Sequence, residues 1–184
     1  QEEYALLVAR SSGLSVAVPR FFNLYGQRQS LSNPYTGCAA IFASRCLSGL
    51  APRVYEDGGQ LRDFLHVTDA ARAVLALVGP PELRSAAREW SSTTFQGVFN
   101  VGSGKPTTVL RVAELACETL APHLVPEVTG SFRVGDIRAC VAETKRMVQE
   151  IAWQPQVDVE RGLPDLFLAW KAGGSVADEA LLES

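Results

Sequence analysis

The sequence predicts an α/β protein, and the back half of a sheet rather than a whole one. Three observations carry that expectation. Short, β-branched-rich runs alternate with segments of helical period along the chain. Two of the runs, Leu14 to Val18 and Val98 to Val101, are apolar at successive positions, as in parallel strands covered on both faces. Two such strands are too few to make a parallel sheet alone.

From the amino end, residues 2–11 place Tyr4, Leu7 and Val8 on one helical face, and Gly13 follows as a stop. Leu14 to Val18 then reads as a buried strand running into Pro19 and Arg20. Residues 23–36, punctuated by Gly, Asn and Pro, read as a polar loop. Residues 38–48 read as a helix closed by Gly49. Arg53 to Tyr55 is a second short strand, with Glu56-Asp57-Gly58-Gly59 as the turn after it. Thr68 to Val78 has alanine-rich helical period and stops at Gly79-Pro80-Pro81. The connection 80–96 is loop-like, with a short helix expected around Glu82 to Glu89. After the strand at 98–101, Pro106 and Thr107 open a helix to about Leu120. Val125 to Thr129 reads as a strand, 143–151 and 158–171 as helices, with Pro164 starting the last. The tail from Gly173 is expected to fray.

The 184 residues are 47% hydrophobic and 20% charged, which suits one domain with a sizeable core. Seventeen basic against twenty acidic residues leave a net charge of −3, which gives no reason to expect nucleic acid or an anionic membrane as partner. No apolar run approaches the ~18 residues that span a bilayer. The opening QEEYALLVAR does not read as a signal peptide, because acid precedes a short apolar stretch. Cys38, Cys46, Cys117 and Cys140 lack Cys-x-x-Cys spacing and paired histidines, so no metal site is expected and a reducing cytosol is the default. Met147 is the only methionine. Gln1 is then no translation start, and the expectation is a processed chain or a piece of a longer protein, the motifs below favouring the second.

Four stretches carry candidate chemistry. Gly102-Ser103-Gly104-Lys105-Pro106-Thr107 lies between a strand and a helix, but misses both phosphate-loop templates. A P-loop needs a glycine where Phe99 stands and Ser or Thr where Pro106 stands; the dinucleotide fingerprint needs a glycine at Thr107. It reads as a tight turn. Arg20-Phe21-Phe22-Asn23-Leu24-Tyr25-Gly26 lies at the carboxyl end of the first strand, where open α/β sheets bind ligands. Asn23 offers a donor and an acceptor there, or caps a turn. In Arg62-Asp63-Phe64-Leu65-His66-Val67-Thr68-Asp69, Arg62 suits a forked contact to two phosphate oxygens, or pairs with Asp63 on a loop. Thr68 or Asp69 suits a helix cap, and His66, between apolar residues, reads as structural. Arg133 and Asp136, three apart around Gly135, form either a clamp for phosphate and hydroxyl or a surface turn.

The order and spacing of these stretches are more specific than any one of them. Arg-Phe-Phe-Asn-x-Tyr-Gly, Val-Tyr-Glu-Asp-Gly, Arg-Asp-Phe-x-His-Val-x-Asp, Phe-Asn-Val-Gly-Ser-Gly and Arg-x-Gly-Asp together resemble the extended short-chain dehydrogenase/reductases, the NAD-dependent nucleotide-sugar epimerases and dehydratases. The resemblance runs from about residue 1 to 171. SNPYTG (32–37), IFASR (41–45) and RVGDIR (133–138) resemble in particular the dTDP-L-rhamnose 4-epimerase-like branch.

The resemblance implies the C-terminal half of a Rossmann-like parallel sheet, with strands near 14–18 and 98–101. It adds a small α/β substrate-binding lobe near 30–66 and 122–172, and leaves 173–184 as tail. It implies that the Gly-rich NAD loop and the catalytic Tyr-x-x-x-Lys lie upstream of Gln1; no Tyr-x-x-x-Lys occurs in this chain. What it carries onto these residues is binding. Asn23 matches a diphosphate or sugar contact, and Phe21 and Phe22 match residues beside the nicotinamide and the sugar pocket. Val54 and Tyr55 match the strand that meets the base, Arg62 and Arg133 the diphosphate contacts, and Asp136 a ribose contact. The implied ligands are NAD and a dTDP- or UDP-linked sugar, with a homodimer expected of the intact enzyme. Gln27 stands where proline is common after Tyr-Gly.

Overall fold

A computed structural model of the chain describes residues 1–31, 37–78, 96–132 and 134–173. It is a mixed α/β structure in which parallel strand pairs sit between helical layers. The expected helix and loop at 79–95, Arg133 and the tail from 174 lie outside the described residues.

Helix α1 (Glu2–Ser12) ends where Gly13 takes a left-handed φ of 68°, a conformation that costs glycine little. Strand β1 (Ala17–Phe21) pairs in parallel with β6 (Gly97–Val101), Ala17 opposite Gly97 and Phe21 opposite Val101. This strand starts three residues later than the sequence predicts. Its burial is also lighter than expected, since Leu14 before it is 59% exposed and Phe21 40%. Among the described residues β1 has β6 as its one strand neighbour, so one of its two edges has no strand partner there. A forked ion pair from Arg20 to Glu2 (2.6 and 2.8 Å) ties β1 to α1.

The stretch expected as a loop after Phe22 begins as strand β2 (Asn23–Tyr25), paired in parallel with β5 (Phe64–His66). Backbone pairing with a distant segment overrides the local turn signal of Asn23. Helix α2 (Cys38–Leu47) follows, then β3 (Arg53–Val54) and β4 (Leu61–Arg62). Helix α3 (Val67–Val78) starts one residue before Thr68, so neither Thr68 nor Asp69 caps it. His66 Nδ1 meets both the Thr68 hydroxyl (2.7 Å) and the Thr68 amide (3.3 Å).

Thr107 and Thr108 form β7, antiparallel to β4, rather than the first residues of a helix. Helix α4 (Val109–Leu120) begins after them, because the Thr108 hydroxyl accepts from the Arg111 amide at 3.1 Å and caps it. Strand β8 (Glu127–Val128) pairs with β3 and β9 (Ala139–Cys140) with β4. Helix α5 (Lys145–Ile151) precedes α6 (Val159–Ala172), which Asp158 caps through the Glu160 amide (3.0 Å). Pro164 lies inside α6 rather than at its start.

Two cores result. Helices α2, α4 and α6 pack around Phe42, Val112, Leu163, Leu166 and Phe167, with Tyr25 and Phe64 beneath them. Ala39, Ala40, Ala43, Ala113 and Ala116 let α2 and α4 approach closely, and Cys46 and Cys117 meet there, Sγ to Sγ at 3.9 Å. The second core, Leu65, Ala73, Leu77, Phe99, Val101, Met147 and Ile151, joins α3 and α5 to β6. No described helix is long and apolar enough to cross a membrane.

Candidate functional site

Two residues decide how the candidate stretch Arg62-Asp63 is used, and they point opposite ways. Asp63 follows β4 and is fully buried, while Arg62 keeps 13% of its side chain exposed. Strand alternation separates neighbours in this way. The alternative reading, a pair between the two, does not form. Asp63 Oδ1 accepts from the Ser103 amide (2.6 Å) and hydroxyl (2.6 Å). Its Oδ2 accepts from the amides of Gly104 (2.9 Å) and Ala142 (3.0 Å). The glycine-rich turn that resembles a phosphate loop thus closes around a carboxylate of its own chain. A Cβ at Gly102 would stand 2.6 Å from Asp63 Oδ2, so the turn needs glycine there.

Arg62 instead reaches Asp136, NH2 to Oδ1 at 2.7 Å. Its NH1 donates to its own strand's Leu61 carbonyl (2.9 Å), so two of the five guanidinium donors are engaged. The partner comes from 74 residues away. The parallel pairing of Arg62 with Cys140 is what brings the 134–138 turn alongside.

The turn after β3 is held in place on both sides. Gly58 has φ 73° and lies so close to Leu110 and Val54 that a Cβ would meet them at 2.7 and 2.9 Å. Arg138 grips Asp57 with both nitrogens (2.6 and 2.8 Å) and reaches Glu56 (3.1 Å). That bond to Arg138, with the Gly59 amide, holds the Asp57 carboxyl well below the usual range. The clasp fixes the 56–59 turn to the segment carrying Asp136.

Beside the Arg62–Asp136 pair lies a cleft of about 240 Å³. Asn23, Tyr55, Arg62 and Asp136, four of the sequence-predicted residues, line it together. Cys38, Ile41 and Phe42 from α2 make its apolar side. Burial pushes the Cys38 thiol up to about 11, with Arg62 acting the other way. Arg53 and Gln60 also line the cleft, and the sequence reading did not single them out. Their signal was available: Arg53 precedes Val54-Tyr55, and Gln60 lies two residues before Arg62. Two guanidiniums reach the cleft, Arg62 paired with Asp136 and Arg53 3.7 Å from Glu127, and their remaining donors suit an anion.

The other predicted residues lie elsewhere. Val54 is fully buried, and its carbonyl accepts from Thr129, so it belongs to the core and not to the cleft wall. Phe21 and Phe22 stand at the end of β1, Phe21 40% exposed and Phe22 half-buried, and line none of this cleft. Arg133 is outside the described residues. His66 packs edge-on to Tyr25 (5.2 Å between ring centres) and supports the start of α3, a structural place. Asp69 is likewise fully buried, accepting from the Gln156 (3.0 Å) and Val157 (2.9 Å) amides and from Arg72 (2.7 Å). A second cleft of about 380 Å³, with Ser103, Lys105 and Gln156 in its wall, holds none of the predicted residues. Its lysine is bonded to Asp158 at 3.1 Å.

Comparison with known proteins fits this geometry. Residues 1–102 match the model of the NAD dependent epimerase/dehydratase family. A dTDP-L-rhamnose 4-epimerase from Burkholderia thailandensis is 34% identical over 165 residues, covering 86% of this chain and 42% of that protein. A putative UDP-glucose 4-epimerase from Methanocaldococcus jannaschii is 27% identical and covers 88% of this chain and 48% of its own. The chain spans about half the length of the curated relatives it matches, or less. Among solved structures, the UDP-glucose 4-epimerase of Thermotoga maritima, crystallised with UDP-glucose, superposes with a TM-score of 0.79 at 29% identity. That match covers 95% of this chain and 52% of the other. The Thermus thermophilus UDP-glucose 4-epimerase, in complex with NAD, gives 0.74 at 27% identity over 92% of this chain and 51% of its own. A family model that covers more than half the chain, together with Rossmann-like epimerases that align with nearly all of it, leads to one conclusion: the chain belongs to the NAD dependent epimerase/dehydratase family.

Proposed function

We propose that the protein supplies the substrate-binding side of an NAD-dependent nucleotide-sugar 4-epimerase. The observation that supports this most is the cleft that collects Asn23, Tyr55, Arg62 and Asp136 with Arg53. In this reading the diphosphate lies against Arg62, whose three remaining donors suit phosphate oxygens. Arg133 is proposed as a second phosphate contact. The Tyr55 ring offers an apolar face to the base, Asp136 accepts from a ribose hydroxyl, and Asn23 contacts diphosphate or sugar. Firm anchoring of the nucleotide leaves the sugar free to turn over between two faces, as epimerisation at C4 requires.

Bound NAD would supply the hydride chemistry at C4. The described residues fit the cofactor poorly. The amides of Ser103 and Gly104, the glycine-rich turn's natural phosphate donors, are spent on Asp63. Phe21 and Phe22 are proposed as the edge of the nicotinamide site. We therefore assign this chain binding and orientation, with hydride and proton transfer supplied by sequence upstream. The chain by itself is predicted to be inactive, to reside in the cytosol and, as part of an intact enzyme, to dimerise. A dTDP-glucose 4,6-dehydratase from an Actinoplanes species, 29% identical over 174 residues, keeps dehydration as the second reading of the same binding half.

Calorimetric titration of the chain with UDP, dTDP and NAD tests the proposal. A nucleoside diphosphate should bind without NAD, and Arg62→Ala should weaken it. Affinity unchanged by Arg62→Ala and Asn23→Ala would overturn the assignment of the cleft. Turnover of a nucleotide sugar by this chain alone would overturn its assignment to binding only.

A further inference from the structure

Gln60 is 2% exposed and lines the cleft. Its Nε2 donates to the Tyr55 carbonyl at 3.1 Å. Its Oε1 is buried and has no hydrogen-bond partner among the described residues. A buried acceptor without a donor is costly, and in a native structure it calls for an explanation. Here the explanation lies in the wall it occupies. Building on the nucleotide reading above, we propose that Gln60 reads the base: its Oε1 accepts the N3–H of a uracil or thymine ring and excludes cytosine.

The argument turns on the direction in which the amide is held. Uracil and thymine present a donor at N3, whereas cytosine presents a lone pair there. A free glutamine would accommodate either by turning its amide over. Gln60 is not free, because turning over would set Oε1 against the Tyr55 carbonyl, acceptor against acceptor. The Tyr55 bond therefore spends the donor end of the amide and leaves Oε1 as its unpaired end among the described residues. Anchoring at Tyr55 and at Arg62 limits the sliding by which cytosine would offer its exocyclic amine instead. A ribose hydroxyl is the other available donor, but Gln60 is bonded at the Tyr55 end of the cleft, and Asp136 already serves as acceptor beside Arg62.

The test is the affinity of wild type, Gln60→Leu and Gln60→Met for UDP, dTDP and CDP, with melting curves to show that each variant is folded. Methionine fills nearly the same volume without the amide, and so guards against a packing failure in the leucine variant. Wild type should prefer UDP and dTDP to CDP by about tenfold, the size of one buried hydrogen bond. Both variants should lose that preference by weakening UDP and dTDP while leaving CDP unchanged. Equal wild-type affinity for UDP and CDP overturns the proposal. A penalty common to UDP and CDP also overturns it, because the lost contact is then to ribose or to the fold. If wild type binds none of the three, the nucleotide reading itself fails, and this inference with it.

Discussion

Asp63 is the residue whose replacement tests the architecture of the site most severely. Its two oxygens take four hydrogen bonds, three from backbone amides and one from the Ser103 hydroxyl, in a fully buried position. Asparagine keeps one oxygen, and its NH2 faces two donating amides on one side or, on the other, the Ser103 amide and a hydroxyl that can accept, so one or two of the four bonds are lost. Bonds to a charged acceptor contribute about 1.5–3 kcal/mol each. Asp63→Asn should therefore destabilise the protein by about 1.5–6 kcal/mol, a large share of the roughly 5–15 kcal/mol typical of a domain. Urea unfolding followed by circular dichroism reads this as a drop in midpoint at unchanged slope. A loss below about 1 kcal/mol, the ordinary cost of a point mutation, would refute the role given to the carboxylate.

Three further outcomes follow from the same geometry. Arg62→Ala should weaken UDP and dTDP binding by about 1.5–3 kcal/mol, roughly ten- to a hundredfold, in a titration. Asp158→Ala should cost about 1 kcal/mol of stability through loss of the α6 cap. The Asp158 carboxyl is held below its usual range by the Glu160 amide and then by Lys105. A depressed folded value means that its stabilisation is complete above the unfolded value near ~3.9 and is lost as pH falls through the folded value. Acid titration of stability should accordingly be flatter in the alanine variant. Gly162→Ala would set a Cβ against the Tyr25 hydroxyl and 2.9 Å from Val157 Cγ1, and should destabilise by about 1–3 kcal/mol on thermal melting.

The helices were legible because their signals are local: period, caps and glycine stops place α1, α2, α3 and α6 to within a residue or two. The short strands were not. Asn23 reads as a turn residue until β5 is beside it, and Thr107 reads as a helix start until it pairs with Arg62. The site shows the same division. Asn23, Tyr55, Arg62 and Asp136 came from motif order, and the structure brings them to one cleft. The Arg62–Asp136 pair joins residues 74 apart and depends on β4 meeting β9, and two-residue strands carry no periodicity to announce that meeting. In sequence Asp63 looks like an ordinary loop acid and Asp69 like a helix cap. Only their surrounding amides mark them as buried acceptors that tie distant segments together. Gln60 in a polar turn gives no sign that one of its oxygens is buried without a partner.

The most direct test of the central claim is an amide-resolved NMR titration of the isotope-labelled chain with UDP. The account predicts saturable shifts at Asn23, Tyr55, Gln60, Arg62 and Asp136, with the amides around Lys105 and Asp158 unmoved. Shifts centred on Lys105 and Asp158, or none at the five cleft residues, would contradict it.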